Sequence, residues 1–354
     1  MGNDSQPENS EEYAQDLSPI VDPAGETPVS IMLVRYNEKE LVQKSNISAV
    51  ESQGFLSDDA QTWIHVQGQP KPSTMLELGR LFHLHPLALE DVINLGERSK
   101  TVTYENQLMT ILGMPIKKGN KIINEQVSFF LADNFLVSFH NGEHDPFRAI
   151  RRRLHYAQGA LRARRLDYLL YVLVDVVLDH CFPILDEFDD DIQEVEQQLL
   201  GPEGVDTFKG LYTIKRELLI LRLKIRPQRE AIRALMRDDN NWLTEETKLY
   251  MRDCFDHVTR LIDIIEIYRD MTSNMLDVHL SLVNQKTFMS NEVQRKATVW
   301  AMIFSPLTFL TGIYGMNFVH MPEVEWQYGF LLAIGLMGLL GFILVLMFKR
   351  RNWL

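Results

Sequence analysis

Several residue types and motifs are scarce in this chain, and each scarcity excludes a class of protein. Only two of the 354 residues are cysteine, Cys181 and Cys254, which excludes a disulfide framework and a cysteine-rich zinc module. The phosphate-binding pattern G-x-x-x-x-G-K-[ST] is absent, so a nucleotide-driven pump is not indicated. No nucleophile–base pair or closed metal triad has a readable spacing, and we therefore expect no enzyme.

Glycine and proline are missing from a long part of the second half. No glycine lies between Gly210 and Gly312, and only Pro227 and Pro306 interrupt that interval. One helix could therefore run from about Asn241 to Thr311, about 105 Å at 1.5 Å per residue. Because ordinary globular helices seldom exceed about 25 residues, this length predicts a stalk that enters a membrane or a coiled coil.

Charge is absent from two segments near the C-terminus, residues 297–322 and 327–348. Each is long enough to cross a bilayer, which takes about 20 apolar residues. Basic residues flank their outer ends, whereas the connecting segment carries Glu323 and Glu325 and no Lys or Arg. The positive-inside rule then predicts that both termini are cytoplasmic and that the connection is external. No apolar leader is apparent, and we expect a multi-pass protein of the cell membrane.

The rest of the chain changes character along its length. An acidic, proline-rich start is followed by β-like runs broken by turn residues, and then by helical patterns. We expect an α+β cytosolic domain, a long stalk helix and two C-terminal transmembrane helices. The predicted divisions are a tail (1–27), an α+β domain (28–144), a helical region (145–240), the stalk with the first span (241–313), the external loop (314–326), the second span (327–348) and a basic tail (349–354).

A polar seam follows the predicted stalk at heptad spacing. Its two positions, three residues apart, would be apolar in a coiled coil, yet only Leu280 is a bulky hydrophobe. Polar side chains inside a bilayer face protein or a water-filled cavity, so the seam predicts a pore lining formed by several copies of the chain. The alternative is a solvent-exposed face of the stalk. The proposed pore-lining residues are Asp277, Asn284, Asn291, Gln294, Thr298, Ser305 and Thr308.

Several segments together resemble the CorA family of divalent-cation transporters. The run Y-G-M-N-F at 314–318 lies between the two predicted spans and is followed by M-P-E at 321–323. H-P-L-A-L-E-D at 85–91, D-Y-L-L-Y at 167–171, R-D-C-F-D-H at 252–257 and the terminal K-R-R-N-W-L occur in the family's order. The resemblance implies a funnel-shaped homopentamer whose first span lines the pore, embedded in membrane lipid.

The resemblance also assigns roles to residues of the loop. Gly315 and Asn317 would offer carbonyl and amide oxygens to hydrated Mg²⁺, which holds its water tightly. Gly315 would also allow a tight turn. Met316 would pack and hold the loop, because thioethers prefer soft metals. Glu323 would concentrate cations at the entrance, although exposed charges often do little.

Regulation would lie in cytosolic carboxylates. The resemblance implies that Asp91 faces Asp253 of a neighbouring subunit, with Glu90 and Asp175 nearby. Carboxylates that repel one another would be bridged by Mg²⁺, which would hold the pore closed when internal Mg²⁺ is high. Mg²⁺ is thus expected as both transported and regulatory ion.

Other features keep alternatives open. The inner pore stripe is more polar than is usual in the family, so Co²⁺, Ni²⁺ or Zn²⁺ transport is an alternative, and a metal sensor or scaffold without flux is another. His83, His85 and His180 are interpreted as structural histidines. The acidic run at 186–191 is interpreted as a solvated helix face. The arginines at 151–153 and 162–165 are interpreted as ion-pairing residues within the oligomer or against acidic helices, because the net charge of −12 disfavours nucleic acid.

Overall fold

The fold is taken from a computed structural model of the chain. It describes residues 29–57, 59–119, 121–200, 207–237, 241–316, 326–351 and 353. Two compact units are distinguished, one up to Thr272 and one from Ser273 onward. The acidic tail predicted for residues 1–27 lies outside the described residues.

Among the described residues of the first unit, seven strands form one mixed sheet. Its order is β2-β1-β3-β7-β6-β5-β4, and all neighbours are antiparallel except the central pair β3 and β7. The strands are β1 Ser30–Tyr36, β2 Leu41–Ser45, β3 Gln61–Gln67, β4 Lys100–Tyr104, β5 Gln107–Lys118, β6 Lys121–Leu131 and β7 Phe135–His140.

The sequence predicts the five inner strands and misses both edges. β1, β3, β5, β6 and β7 coincide with the β-like runs, and each carries a continuous or alternating buried pattern. The edge strands β2 and β4, L-V-Q-K-S and K-T-V-T-Y, contain no fully buried residue. An edge strand is covered on fewer sides, so its sequence carries a weaker apolar signal.

Helices cover both faces of the sheet. α1 Ala49–Gln53, α2 Pro72–Leu81 and α3 Pro86–Ile93 pack on one face over Ile64, Val66 and Phe139. The next helices are α4 Arg148–His155, α5 Leu166–Asp179, α6 Phe182–Leu200 and α7 Thr207–Leu235. On the other face α5 and α7 contact β5 and β6, and Phe147 packs edge-on against Trp63 and His65. The α+β prediction is confirmed as a three-layer arrangement.

The predicted long helix is confirmed as α8, Glu245–Tyr314, with 70 residues. Its start is fixed by Asp167 of α5, whose buried carboxylate accepts hydrogen bonds from Thr244 N and Oγ1, both at 2.8 Å. The Thr244 hydroxyl in turn accepts from Thr247 N and caps the first turn. The last helix, α9, spans Gly329–Arg350.

Within the described part of the chain, three helical stretches are long and apolar enough to cross a membrane: Leu166–Leu199, α8 and α9. They differ in how much of the apolar window the protein itself covers, 56% for the first against 11% and 6% for α8 and α9. Leu169, Leu173 and Val177 of the first stretch are completely buried. Its apolar residues therefore belong to the core of the first unit, whereas most of the apolar windows of α8 and α9 lack cover within one chain.

Candidate metal centre and cation pathway

Two carboxylates and an imidazole converge between α5 and α8 in the first unit. Asp175 and Asp179 lie one turn apart on α5, and His257 faces them from α8. One ligand atom from each residue lies within 4.8 Å of the other two. Asp253, one turn before His257, adds a further carboxylate, with Oδ2 3.7 Å from His257 Nε2. The group has the donor types and the spacing of a metal site.

The electrostatics of this cluster favour a cation. Burial raises the pKa of Asp175, and the neighbouring carboxylates of Asp179 and Asp253 raise it further, while His257 opposes them. His257 Nδ1 is buried, lacks a well-formed hydrogen bond and lies 3.4 Å from Asp175 Oδ1. Like charges held close in a partly desolvated place repel until a cation joins them.

The donor set fits several divalent metals. Carboxylate oxygens are the ligands that Mg²⁺ prefers, and it usually keeps several of its waters. Imidazole nitrogen suits Zn²⁺, Co²⁺ and Ni²⁺ better. Asp253 is 62% exposed, so one side of the cluster is open to water or to another chain.

The sequence analysis selected four carboxylates for regulation, and one chain gathers two of them. Asp175 and Asp253 belong to the cluster, whereas Glu90 and Asp91 lie on α3 and do not join it among the described residues. Glu90 is exposed. Asp91 is instead held by Lys100, whose Nζ lies 2.9 Å from Oδ1. The predicted facing of Asp91 and a neighbour's Asp253 stays a prediction.

Two members of the cluster were missed at the level of sequence. Asp179 and His257 each follow a selected residue by four positions, in Asp175-x3-Asp179 and Asp253-x3-His257. Residues four apart share one face of a helix, so this spacing was a usable signal. It does not reveal that the two faces meet, because α5 and α8 are far apart in sequence.

The other histidine candidates have structural partners. His85 caps α3 by accepting from Leu87 N and stacks on Tyr104 at 4.3 Å. His180 Nδ1 bonds the carbonyl of Val176 at 2.7 Å. His83 is exposed, with a positive φ of 52°. The structural interpretation of His85 and His180 is confirmed by these contacts.

The charged runs find partners within the same chain. Lys117 contacts Glu187 and Asp191 of the acidic run. Arg151 is buried and pairs with Asp145, and Arg164 pairs with Glu246 at the start of α8. Arg151 and Arg164 therefore form ion pairs, as the sequence predicts, with partners in the same chain, and Arg151 also lies next to Trp63. Pairing between copies stays a prediction.

In the second unit, α8 and α9 form an antiparallel pair. Val299 and Ile303 of α8 pack against Phe348 of α9, and Leu307 packs near Leu344. The order of these contacts runs in opposite directions along the two helices. A Cβ at Gly341 would lie 3.8 Å from Leu307 Cδ1, an ordinary van der Waals distance, so this part of α9 lies beside Leu307.

The polar seam of α8 lies away from α9. An α-helix turns about 100° per residue, which places Thr298, Ser305 and Thr308 roughly opposite to the residues that contact α9. The seam residues of the second unit are exposed or, for Thr298, half-buried: Asp277, Asn284, Asn291, Gln294, Thr298, Ser305 and Thr308.

The threonine hydroxyls on this seam already have acceptors for their protons. Thr298 Oγ1 donates to the Gln294 carbonyl at 2.8 Å, and Thr308 Oγ1 donates to the Phe304 carbonyl at 2.9 Å. Because the proton points back into the helix, the oxygen lone pairs remain as acceptors. An acceptor surface suits the water shell of a cation, whose hydrogens point outward.

Gly315 and Met316 of the run Y-G-M-N-F directly follow the end of α8. Gly315 N still bonds the Thr311 carbonyl at 3.0 Å, and its φ is not positive, so the expected left-handed freedom is not used. A Cβ there would lie 3.3 Å from Thr311 O, a tight contact that favours glycine for another reason. Met316 is 53% exposed, and its predicted packing on the loop stays a prediction because residues 317–325 lie outside the described residues. Asn317 and Glu323 lie outside the described residues.

Comparison with known proteins agrees with these features. The family described as CorA-like Mg²⁺ transporter protein matches residues 58–350. The cobalt/magnesium transport protein CorA of Thermotoga maritima is 36% identical over 333 residues, covering 90% of this chain and 94% of the relative. The zinc transport protein ZntB of Photorhabdus laumondii is 26% identical, covering 60% and 64%.

A solved structure gives the same fold. The CorA magnesium transporter from Methanocaldococcus jannaschii superposes with a TM-score of 0.71 at 21% identity, over 92% of this chain and 98% of that one. The family match spans most of the chain, and the first relative is aligned over nearly its whole length. This chain therefore belongs to the CorA family of divalent-metal transporters.

Proposed function

We propose that this protein carries Mg²⁺ into the cell through a pore formed by several copies of the chain. α8 lines the pore with its polar seam, and α9 packs outside it. A homopentamer is the assembly that the family resemblance implies. Two helices cannot enclose a water-filled path alone, so self-association is part of the proposal.

One observation carries this proposal: the polar seam of α8 and its α9-packing surface lie on opposite faces. A sensor or scaffold needs a helix pair that holds together in lipid, which Val299, Ile303 and Phe348 supply. It has no need of Thr298, Ser305 and Thr308 on the far face, because polar groups in a bilayer face protein or water.

Direction and driving force follow from charge. Arg295 and Lys296 precede the first span, and Lys349 and Arg350 end the second, so both ends are assigned to the cytoplasm. An inward Mg²⁺ ion gains about 4.6 kcal/mol across 100 mV, twice the value for a single charge. Gly315, Met316 and Asn317, with Glu323, would form the external entrance.

Cytosolic Mg²⁺ closes the pore in this proposal. The ion would be held by the cluster of Asp175, Asp179, Asp253 and His257 and by Asp91 and Glu90 of a neighbouring copy. Asp253 is exposed enough to meet a second chain. Bound Mg²⁺ would then favour the closed arrangement by binding it more tightly than the open one.

Transport of Zn²⁺, Co²⁺ or Ni²⁺ is the second candidate. The similarity to a zinc transport protein and the imidazole of His257 favour it. The intact Gly315-Met316-Asn317 sequence and the all-oxygen seam favour Mg²⁺, a hard cation.

Influx into proteoliposomes tests the proposal. With a Mg²⁺ dye inside and an inside-negative potential, wild type should show influx and Asn317→Ala should lose at least about tenfold, the effect of losing roughly 1.4 kcal/mol of ion binding. Asn241→Ala, an exposed asparagine in the turn before α8, is the matched control and should keep the wild-type rate.

Silence for every divalent cation, with internal Mg²⁺ chelated, would contradict transport and favour a sensor. Influx of Zn²⁺ or Co²⁺ without Mg²⁺ would support the second candidate instead.

A further inference from the structure

Within its own chain, Asp91 is bound by a lysine. Lys100, the first residue of β4, places Nζ 2.9 Å from Asp91 Oδ1 and 3.0 Å from Glu97 Oε1. The three side chains are each one-third exposed or less, so the ammonium is only partly hydrated. The hydrogen bonds to both carboxylates raise the pKa of Lys100 against the effect of burial, and it stays charged.

The backbone around this ion pair is held in place by Gln126 of β6. Its buried side-chain amide donates to the Asp91 carbonyl at 3.0 Å and accepts from Gly96 N and Glu97 N at 3.2 and 3.3 Å. Gly96 has a φ of 96°, which lets the chain turn between α3 and β4. The fold therefore holds the Asp91–Lys100–Glu97 ion pairs in place, and they do not form between freely moving surface side chains.

An ammonium and a divalent cation compete for the same carboxylate. A Mg²⁺ ion that reaches Asp91 meets a positive charge already in place, and it can bind well only if Lys100 turns toward Glu97. Lys100 can turn away from Asp91 because Glu97 offers its ammonium a second carboxylate at nearly the same distance. Lys100 therefore competes with Mg²⁺ for Asp91, and the chain itself fixes the local concentration of its ammonium group.

We propose that Lys100 sets the cytosolic Mg²⁺ concentration at which the pore closes, by competing with Mg²⁺ for Asp91. The inference rests on the proposed function, in which Asp91 takes part in holding the regulatory ion. It makes Lys100 a positioning residue: it tunes the affinity of the site and leaves the open pore unchanged.

The direction in which loss of Lys100 should shift the Mg²⁺ concentration for half-closure follows from its charge. Removing the positive charge should lower the Mg²⁺ concentration for half-closure. Coulomb's law for a unit charge near a divalent ion at water-like dielectric, reduced because Glu97 can take the lysine, gives a shift of about three- to tenfold. If Lys100 instead oriented Asp91 for binding, its loss would raise that concentration.

Lys100→Gln in the full-length protein tests the inference, with Lys100→Arg as the conservative variant. Lys118→Gln is the matched control, because Lys118 also pairs with a carboxylate, Glu143, at 3.0 Å but on β5, away from α3. The readouts are the cytosolic Mg²⁺ concentration that halves influx and the Mg²⁺-induced rise of the thermal midpoint in detergent. Midpoints without Mg²⁺ check that each variant folds.

We expect Lys100→Gln to reach half-effect at about three- to tenfold lower Mg²⁺ in both readouts, with unchanged maximal influx. Lys100→Arg and Lys118→Gln should match wild type. An unchanged or raised value for Lys100→Gln, or an equal shift in Lys118→Gln, overturns the inference. The two failures are distinguishable: absent wild-type influx contradicts the proposed function, whereas the thermal titration still measures Mg²⁺ binding and tests Lys100.

Discussion

His65 is a buried histidine that is held in a hydrogen-bond network of the first unit. It lies on the central strand β3, where Nδ1 bonds Ser138 Oγ at 2.8 Å and Nε2 bonds Gln67 Oε1 at 3.0 Å. Burial lowers the pKa of His65 to about 3, with smaller lowering by Arg151 and His140, and the Gln67 hydrogen bond opposes them. The ring is therefore neutral in the folded protein and sits within a polar network under α4.

This histidine should make the first unit sensitive to acid. An unfolded histidine titrates near 6.5, so between about pH 6.5 and 3 the unfolded chain binds one proton more than the folded chain. Stability should therefore fall with decreasing pH, by up to about 1.4 kcal/mol per pH unit from this residue. In His65→Asn, the thermal midpoint should fall less steeply between pH 6 and 4 than in wild type.

His83→Asn is the control for that measurement. His83 is exposed, and asparagine tolerates its positive φ of 52°, so the pH slope should match wild type. Parallel slopes for His65→Asn and wild type would show that the acid sensitivity arises elsewhere.

At the scale of the element, α8 carries one surface that packs on α9 and a second, polar surface on the opposite side. The face with Val299, Ile303 and Leu307 binds α9, and the opposite face carries the hydroxyls and amides. The sequence predicts the second surface from heptad spacing alone. It does not predict the first, since an apolar residue in a span suits lipid as well as a neighbouring helix.

Replacing one seam hydroxyl should reduce flux without disturbing the helix pair. Thr308→Val keeps the shape and removes the oxygen that would accept from hydrated Mg²⁺, so we expect influx to fall by several-fold, the effect of about 1 kcal/mol for one hydrogen bond. Thr213→Val is the control, because its exposed hydroxyl also donates to a helix carbonyl, at 2.9 Å to Lys209 O, but in α7 of the first unit. Equal loss in both variants would contradict a lining role specific to the seam.

Element prediction succeeded where burial is complete and failed where it is partial. Strands β5 and β6 contribute long buried runs, and α8 lacks helix breakers, so both signals are strong. β2 and β4 are edge strands without a fully buried residue, so their sequences carry a weaker apolar signal. The cluster at Asp175 follows the same logic: each helix face is readable, but the meeting of α5 with α8 requires the tertiary fold.

At the scale of the whole molecule, the proposed function combines a cation pathway with control by a cation. The pathway would follow the seam of α8, and the control would use carboxylates of α3, α5 and α8. One chain gathers Asp175, Asp179 and His257 but leaves Asp91 bound to Lys100. In the proposed function, a second copy would complete the control site, which would link assembly, metal binding and closure.

The most direct test of this account is the current carried by Mg²⁺ in wild-type protein reconstituted in a bilayer, measured under a membrane potential that drives Mg²⁺ toward the cytosolic side. That side is first kept free of Mg²⁺ with a chelator and then perfused with millimolar Mg²⁺. We expect a Mg²⁺ current under chelation that falls when Mg²⁺ is added to the cytosolic side and returns when this Mg²⁺ is removed. Absence of any Mg²⁺ current under chelation, or a current that ignores cytosolic Mg²⁺, would contradict it.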